Sequence, residues 1–171
     1  MMKADWDNYS IATGWTGFVL EGLNNSNLLS FVPADVSDFW IDYSEANNEG
    51  RTQFWLMLIS AIAKMESNFD PACVYREPPP LNVDSIGLMQ LSLGDKSYGC
   101  DFTDEETIKD PRRNLLCAVR IIDRLVNRYG RIGGDEQHLK LGAAAYWSTL
   151  RVAKPGHRDA RKYVIERTRS L

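Results

Sequence analysis

The chain has 171 residues, 44% of them hydrophobic, which suits one compact domain with a sizeable core. A formal net charge of −3 speaks against a nucleic-acid binder. The longest apolar run, Phe54 to Ala63, is too short to cross a bilayer, and Met1 to Asn8 hold none of the apolar stretch of a signal peptide.

In chain order, Asp5 to Tyr9 reads as an ordered edge or a short helix, and Asn24 to Ser30 as a loop. Val36, Phe39, Trp40 and Tyr43 fall at helical spacing, so short helices are expected between Asp35 and Tyr43. The polar stretch Ser44 to Arg51 reads as a loop. Phe54 to Glu66 is apolar on nearly every face over several turns, the pattern of a helix at the centre of a fold. Asn68 suits the end of that helix, and Pro71 prevents its resumption. A carboxylate, Glu66, thus sits where a buried rod meets a loop. Loss of hydration raises the pKa of such a group. A carboxylic acid still protonated near neutrality can hand its proton to a leaving group. Placement alone better fits a structural acid that accepts backbone hydrogen bonds, and only the further sequence blocks turn the reading toward catalysis.

Ala72 to Asp84 contains Pro78-Pro79-Pro80 and reads as irregular for most of its length. A loop this long in a small chain is either functional or floppy, and its place between Glu66 and the next motif makes a cleft wall the functional reading. In Asp84-Ser85-Ile86-Gly87-Leu88-Met89-Gln90, Gly87 permits close backbone approach and Gln90 offers both donor and acceptor. Taken alone, this run also reads as a short helix with a polar face. Gly94 to Thr107 reads as loop, with Thr103 to Glu106 resembling a capping box. Asp110-Pro111 supplies an N-cap and a first-turn proline. Ala118, Ile121, Ile122, Leu125, Val126 and Tyr129 then repeat at helical spacing up to Gly130. After a turn at Gly133-Gly134, His138 to Leu150 reads as another helix, its small residues allowing tight contact around Tyr146. Pro155-Gly156 breaks the chain before a basic helix, roughly Arg158 to Arg169. That tail reads either as a solvated face or as a surface for an anionic polymer. With no strand-rich pattern and no repeat, the fold class is mostly α.

Cys73, Cys100 and Cys117 show no Cys-x-x-Cys spacing, and His138 and His157 are the only histidines, so no metal site is expected. One disulfide with a leftover thiol, or three reduced thiols, both fit. Cys100–Cys117 is the preferred pair, because it would pin an acidic link to a helix, a closure worth roughly 3 kcal/mol.

Four blocks, in this order, resemble the catalytic domain of soluble lytic transglycosylases, a family related to goose-type lysozymes. Glu66-Ser67-Asn68-Phe69-Asp70-Pro71 is similar to the family's Glu-Ser-x-aromatic-x-Pro, and Gly87-Leu88-Met89-Gln90 to its Gly-Leu-Met-Gln. Asp110-Pro111 with Asn114 is similar to its Asp-Pro-x-x-Asn helix, and Ala144-Ala145-Tyr146 to its Ala-Ala-Tyr-Asn. The resemblance runs from about Phe54 to Leu150. The chain departs from the pattern at Trp147, where the family has Asn, and in the proline-rich insertion between Glu66 and Gly87.

The resemblance implies a lysozyme-like α fold in a single domain. Residues 1–50 would form a helical extension, 51–150 the catalytic core and 151–171 a basic C-terminal helix. It implies cleavage of the β-1,4 bond between N-acetylmuramic acid and N-acetylglucosamine in peptidoglycan, by a monomer without a cofactor. The site of action would be the periplasm or the extracellular wall. Carried over by position, Glu66 is the acid/base, with Ser67 beside it. Ser85, Met89 and Gln90 line sugar subsites, and Tyr146 hydrogen-bonds near the glutamate or the sugar. A lytic transglycosylase can work with one carboxylate, because the substrate's own C6 hydroxyl attacks the anomeric carbon. A hydrolase needs a held water and usually a second carboxylate. Asp84 is the first candidate and Asp95 the second, with Asp70 and Glu77 also in stretches able to border a cleft. The alternative of another class is a peptidoglycan-binding module that kept the cleft and lost activity.

Overall fold

The computed structural model describes residues 2–80, 82–153 and 159–171. Its helices are α1 (Trp15–Asn24), α2 (Val36–Phe39), α3 (Asn48–Ser67), α4 (Glu105–Lys109), α5 (Pro111–Tyr129) and α6 (Ala160–Arg169), joined by short 3-10 turns. One two-stranded antiparallel sheet, β1 (Val74–Arg76) with β2 (Asp84–Ile86), interrupts the series. The fold is mostly α, as the periodicity predicts.

The central helix α3 buries every residue from Phe54 to Ala63. Each large apolar side chain so removed from water contributes about 1.5–3 kcal/mol. The helix begins earlier than its apolar run. Asn47 caps it by accepting a hydrogen bond from the Gly50 amide at 2.9 Å, so part of the expected Ser44–Arg51 loop is helix. It ends as expected, on Asn68 in the left-handed conformation at φ 53°. Helix α1 packs chiefly along α5, and α6 lies against both α3 and α2. One hydrophobic core runs through these elements, from Trp6 near the N-terminus to Val164 in α6.

Polar ties close the chain onto itself. The buried Asp5 carboxylate accepts from Tyr163 Oη at 2.6 Å and faces Arg167 Nε at 2.7 Å, while its backbone amide donates to Ser60 Oγ at 2.8 Å. The first residues are thereby fixed to α6 and α3. Buried Asp35 accepts from the Ile132 and Gly133 amides at 2.7 and 2.8 Å. Cys100 and Cys117 form a disulfide with Cα atoms 5.3 Å apart, joining the acidic link to α5, and Cys73 is a free thiol.

Other expectations change as well, among them the loop read over Gly94 to Thr107, which holds a 3-10 helix over Leu93–Tyr98 and the start of α4. The helix read over His138 to Leu150 is instead two 3-10 turns, Gly142–Ala145 and Ser148–Leu150. Gly142 has φ +58°, and a Cβ there would lie 2.1 Å from the Arg131 carbonyl oxygen, so the chain turns sharply before Ala143 and Ala144 bury against α5. The small residues serve that close approach rather than a continuous helix. The proline-rich segment is flanked by paired strands, with Tyr75 opposite Ser85 and Arg76 opposite Asp84. The capping box sits one residue later than read, with Asp104 as the cap and Thr107 as its partner. In the tail, Arg161 faces Asp38 at 3.5 Å, Lys162 faces Glu166 at 3.8 Å and Arg167 faces Asp5 at 2.7 Å, so α6 is tied largely to this chain's own acids. The break at Pro155-Gly156 and the start at Arg158 lie outside the described residues.

Candidate active site

Glu66 lies in the last turn of α3, where the helix meets a cavity of about 670 Å³. The hairpin forms one wall, with Cys73, Val74, Tyr75 and Glu77 on one arm and Val83 and Ser85 on the other. Gln90 and Ser92 continue the lining, and Tyr146, Trp147 and Ser148 complete it. These residues come from four parts of the sequence, and a single buried loop brings them together.

That loop is Gly87 to Gln90, and three anchors hold it. From α5, Asn114 accepts from the Met89 amide at 2.9 Å and donates to the carbonyls of Ile86 at 3.2 Å and Ile108 at 2.9 Å. From α3, Ser67 Oγ donates to the Leu88 carbonyl at 3.0 Å. From the opposite wall, Trp147 Nε1 donates to the Met89 carbonyl at 2.9 Å. Gly87 turns the chain at φ +76°, and a Cβ there would stand 2.6 Å from Asn114 Nδ2, so only glycine fits. Gln90 follows at φ 48°, its amide donating to the carbonyls of Gly87 at 3.0 Å and Cys73 at 3.3 Å. The Asp-Pro-x-x-Asn block thus matters through its Asn, which satisfies backbone groups that a buried loop would otherwise leave unpaired.

The electrostatics of Glu66 follow from its place. Burial raises its pKa above the ordinary carboxylate range, opposed by a hydrogen bond from Thr149 Oγ1 to Oε1 and by the positive charge of Arg151. Arg151 is held by donating to the Ala144 and Ala145 carbonyls at 2.9 and 3.3 Å. Across the cleft, Tyr146 Oη donates to Asp95 Oδ2 at 2.6 Å. Burial and the adjacent Asp95 charge push the phenol's pKa far above its usual value. Asp95 also accepts from the Ser92 amide at 2.7 Å, and burial raises its pKa.

Of the residues singled out by sequence, Ser85, Gln90 and Tyr146 line the cavity with Glu66. Ser67 and Met89 do not. The Ser67 side chain is buried against the carbonyls of Ala63 and Leu88, and that of Met89 lies in the core. They shape the loop instead of facing a sugar. Neither preferred second carboxylate shares the cavity. Strand alternation turns Asp84 away from Ser85 into a separate depression, where it pairs with Arg76. Asp95 is spent on Tyr146 and Ser92. Asp70 forms a local turn with the Ala72 amide at 2.9 Å. Glu77 is the second carboxylate in the lining. Thr149, Arg151 and Cys73 carried no sequence signal, because their importance is a matter of three-dimensional proximity. The indole of Trp147 has a defined task in gripping the Met89 carbonyl.

A helical frame with a glutamate at the end of its central helix, facing a cleft built on Gly-Leu-Met-Gln, defines a lysozyme-like protein. The chain belongs to the family of the transglycosylase SLT domain, whose model matches residues 44–159. Among solved structures it is similar to DslA (Bd0314), wild-type form 2, at 34% identity and TM-score 0.87, covering 96% of this chain and 93% of that one. Two glutamate-to-glutamine mutants of DslA match with the same coverage, at 34% identity with TM-score 0.87 and at 33% with TM-score 0.86. No curated protein matches the chain. The family acts on peptidoglycan, and no helix among the described residues is long and apolar enough to cross a membrane.

Proposed function

We propose that this protein cuts peptidoglycan glycan strands at the β-1,4 bond between N-acetylmuramic acid and N-acetylglucosamine, with Glu66 as the general acid/base, as a lytic transglycosylase. The observation that carries the reading is Glu66 itself, an acid with a raised pKa at the end of a buried helix, facing a sugar-sized cleft. Thr149 engages Oε1, leaving Oε2 to carry the proton. Glu66 donates that proton to the glycosidic oxygen as the C–O bond breaks. The C6 hydroxyl of the muramyl residue attacks the anomeric carbon, and Glu66 takes up the hydroxyl proton. The product is a 1,6-anhydro sugar, and the glutamate ends the cycle protonated. A tethered nucleophile has a high effective concentration, so no second carboxylate is needed. Ser85 and Gln90 contact the sugars from one wall. The phenol of Tyr146, its own proton committed to Asp95, accepts a hydrogen bond from the other.

One observation favours a second reading, hydrolysis. Glu77 shares the cleft with Glu66, where a second carboxylate can activate water. The two positions replaced in the DslA mutants are also eleven residues apart, the separation of Glu66 and Glu77 here. Mass spectrometry of digested sacculi separates the two. Anhydro-muropeptides are the expected products. Reducing ends alone would reject the lyase in favour of hydrolysis, in which case loss of clearing in Glu77→Gln would identify the base, and intact sacculi would reject both.

A further inference from the structure

We propose that the exposed arginine row of α5 is a docking surface for the anionic peptide stems of the wall polymer being cut, a proposal that rests on peptidoglycan as the substrate. Helix α5 carries Arg112, Arg113, Arg120, Arg124 and Arg128, all exposed, and a single acid, Asp123. At 3.6 residues per turn, positions 113, 120, 124 and 128 share one stripe about 22 Å long. In a chain of net charge −3, this is segregated positive charge.

The way these side chains are held distinguishes them from the other arginines. Arg112 faces Glu21 at 2.5 Å, Arg131 faces Asp135 at 2.8 Å and Arg167 faces Asp5 at 2.7 Å, each charge met by an opposite one. Along the stripe the partners are neutral. Arg120 donates to the Gly99 carbonyl at 2.5 Å, Arg124 to that of Ser97 at 2.7 Å and Arg113 to that of Asp101 at 3.2 Å. Among the described residues, no ion pair forms at Arg120, Arg124 or Arg128, and Arg113 reaches only the edge of one, with Asp101 at 4.0 Å. A carbonyl fixes a guanidinium without cancelling its charge, and the remaining N–H groups still present a fork that fits a carboxylate. Charges ordered in advance lose less freedom on binding.

The stripe is linked to the cleft through one intervening aromatic ring. Arg124 lies over the Tyr98 ring at 5.6 Å, and Tyr98 meets Tyr146 edge-on at 6.3 Å. A glycan bound beside Tyr146 would bring the carboxylates of its muramyl-linked peptides toward this face. Charge complementarity therefore selects the stems as the occupant.

The test is cosedimentation with insoluble sacculi over a salt series, using the parent, the triple variant Arg120→Gln/Arg124→Gln/Arg128→Gln and the matching triple Lys variant. The Gln variant should bind about tenfold more weakly, the order expected of three exposed ionic contacts, and with a shallower salt dependence. The Lys variant should retain most of the binding. Amidating the carboxylates of the sacculi should lower parent binding to the level of the Gln variant. Stem-free glycan strands should be cut equally by all three. Arg128→Gln alone, which releases no loop carbonyl, should give part of the loss at an unchanged Tm. Equal binding by parent and Gln variant, or parent binding that survives amidation, overturns the proposal. A parent that cuts neither sacculi nor stem-free strands overturns the substrate reading, and the docking surface with it.

Discussion

Replacing Thr149 with Val removes one hydroxyl and keeps the side-chain shape. In the parent, burial favours protonated Glu66, whereas the Thr149 hydroxyl and the Arg151 charge favour the carboxylate. Without the hydroxyl, the ionised form loses a hydrogen bond of the charged type, about 1.5–3 kcal/mol. At about 1.4 kcal/mol per pH unit, the pH at which Glu66 gives up its proton rises by about one to two units. Glu66 must be protonated to begin the reaction, so the alkaline limb of the rate profile moves to higher pH. The assay is the initial rate of sacculus clearing at limiting substrate across a pH series, where the limb reports the free enzyme. A limb that stays in place, or moves to lower pH, refutes the reasoning that Thr149 holds the ionised form of Glu66.

Asn114→Ala should destabilise the fold by about 2–4 kcal/mol in urea titrations and reduce clearing, because it strands the Met89 amide and two carbonyls in the interior; a loss under about 0.5 kcal/mol would mean the loop does not depend on it. Cys100→Ser with Cys117→Ser should cost about 3 kcal/mol, read as a lowered urea midpoint matching that of the reduced parent. An unchanged midpoint would contradict this. Asp95→Asn should keep most of the activity, since the amide oxygen still accepts the Tyr146 hydroxyl. A loss of about 100-fold or more in a variant that unfolds at the parent's temperature would contradict this purely structural role.

The frame was legible where burial is uniform or strictly periodic. Phe54 to Ala63 announces α3, and the Asp110-Pro111 cap with the apolar repeat behind it announces α5. The stretch from His138 to Leu150 misleads because runs of alanine and glycine favour close packing as readily as helix. Only the tertiary position of Gly142, pressed against the Arg131 carbonyl, decides between them. In the site, Glu66, Gln90 and Tyr146 were readable from their blocks, and Ser85 from its place just ahead of the second. The ranking of the further carboxylates was not, for on sequence Glu77 stands only behind Asp84 and Asp95. Asp84 and Ser85 are neighbours in sequence, yet strand alternation sends them to opposite faces, and Asp95 is consumed by Tyr146. Glu77 reaches the cleft from a proline-rich segment with no periodicity to orient it. Thr149 meets Glu66 only after the chain has folded back across more than eighty residues.

The central claim is tested most directly by sacculus clearing with Glu66→Gln, alongside its thermal unfolding. The folded pKa of Glu66 lies above its unfolded one, so its contribution to stability falls as pH climbs from the ordinary carboxylate range through the raised value. At neutral pH the amide carries no such penalty, and the variant should unfold at the same or a higher temperature than the parent. It should bind sacculi as the parent does and clear them at least about 100-fold more slowly. A folded Glu66→Gln variant that clears sacculi at the parent's rate would contradict the account.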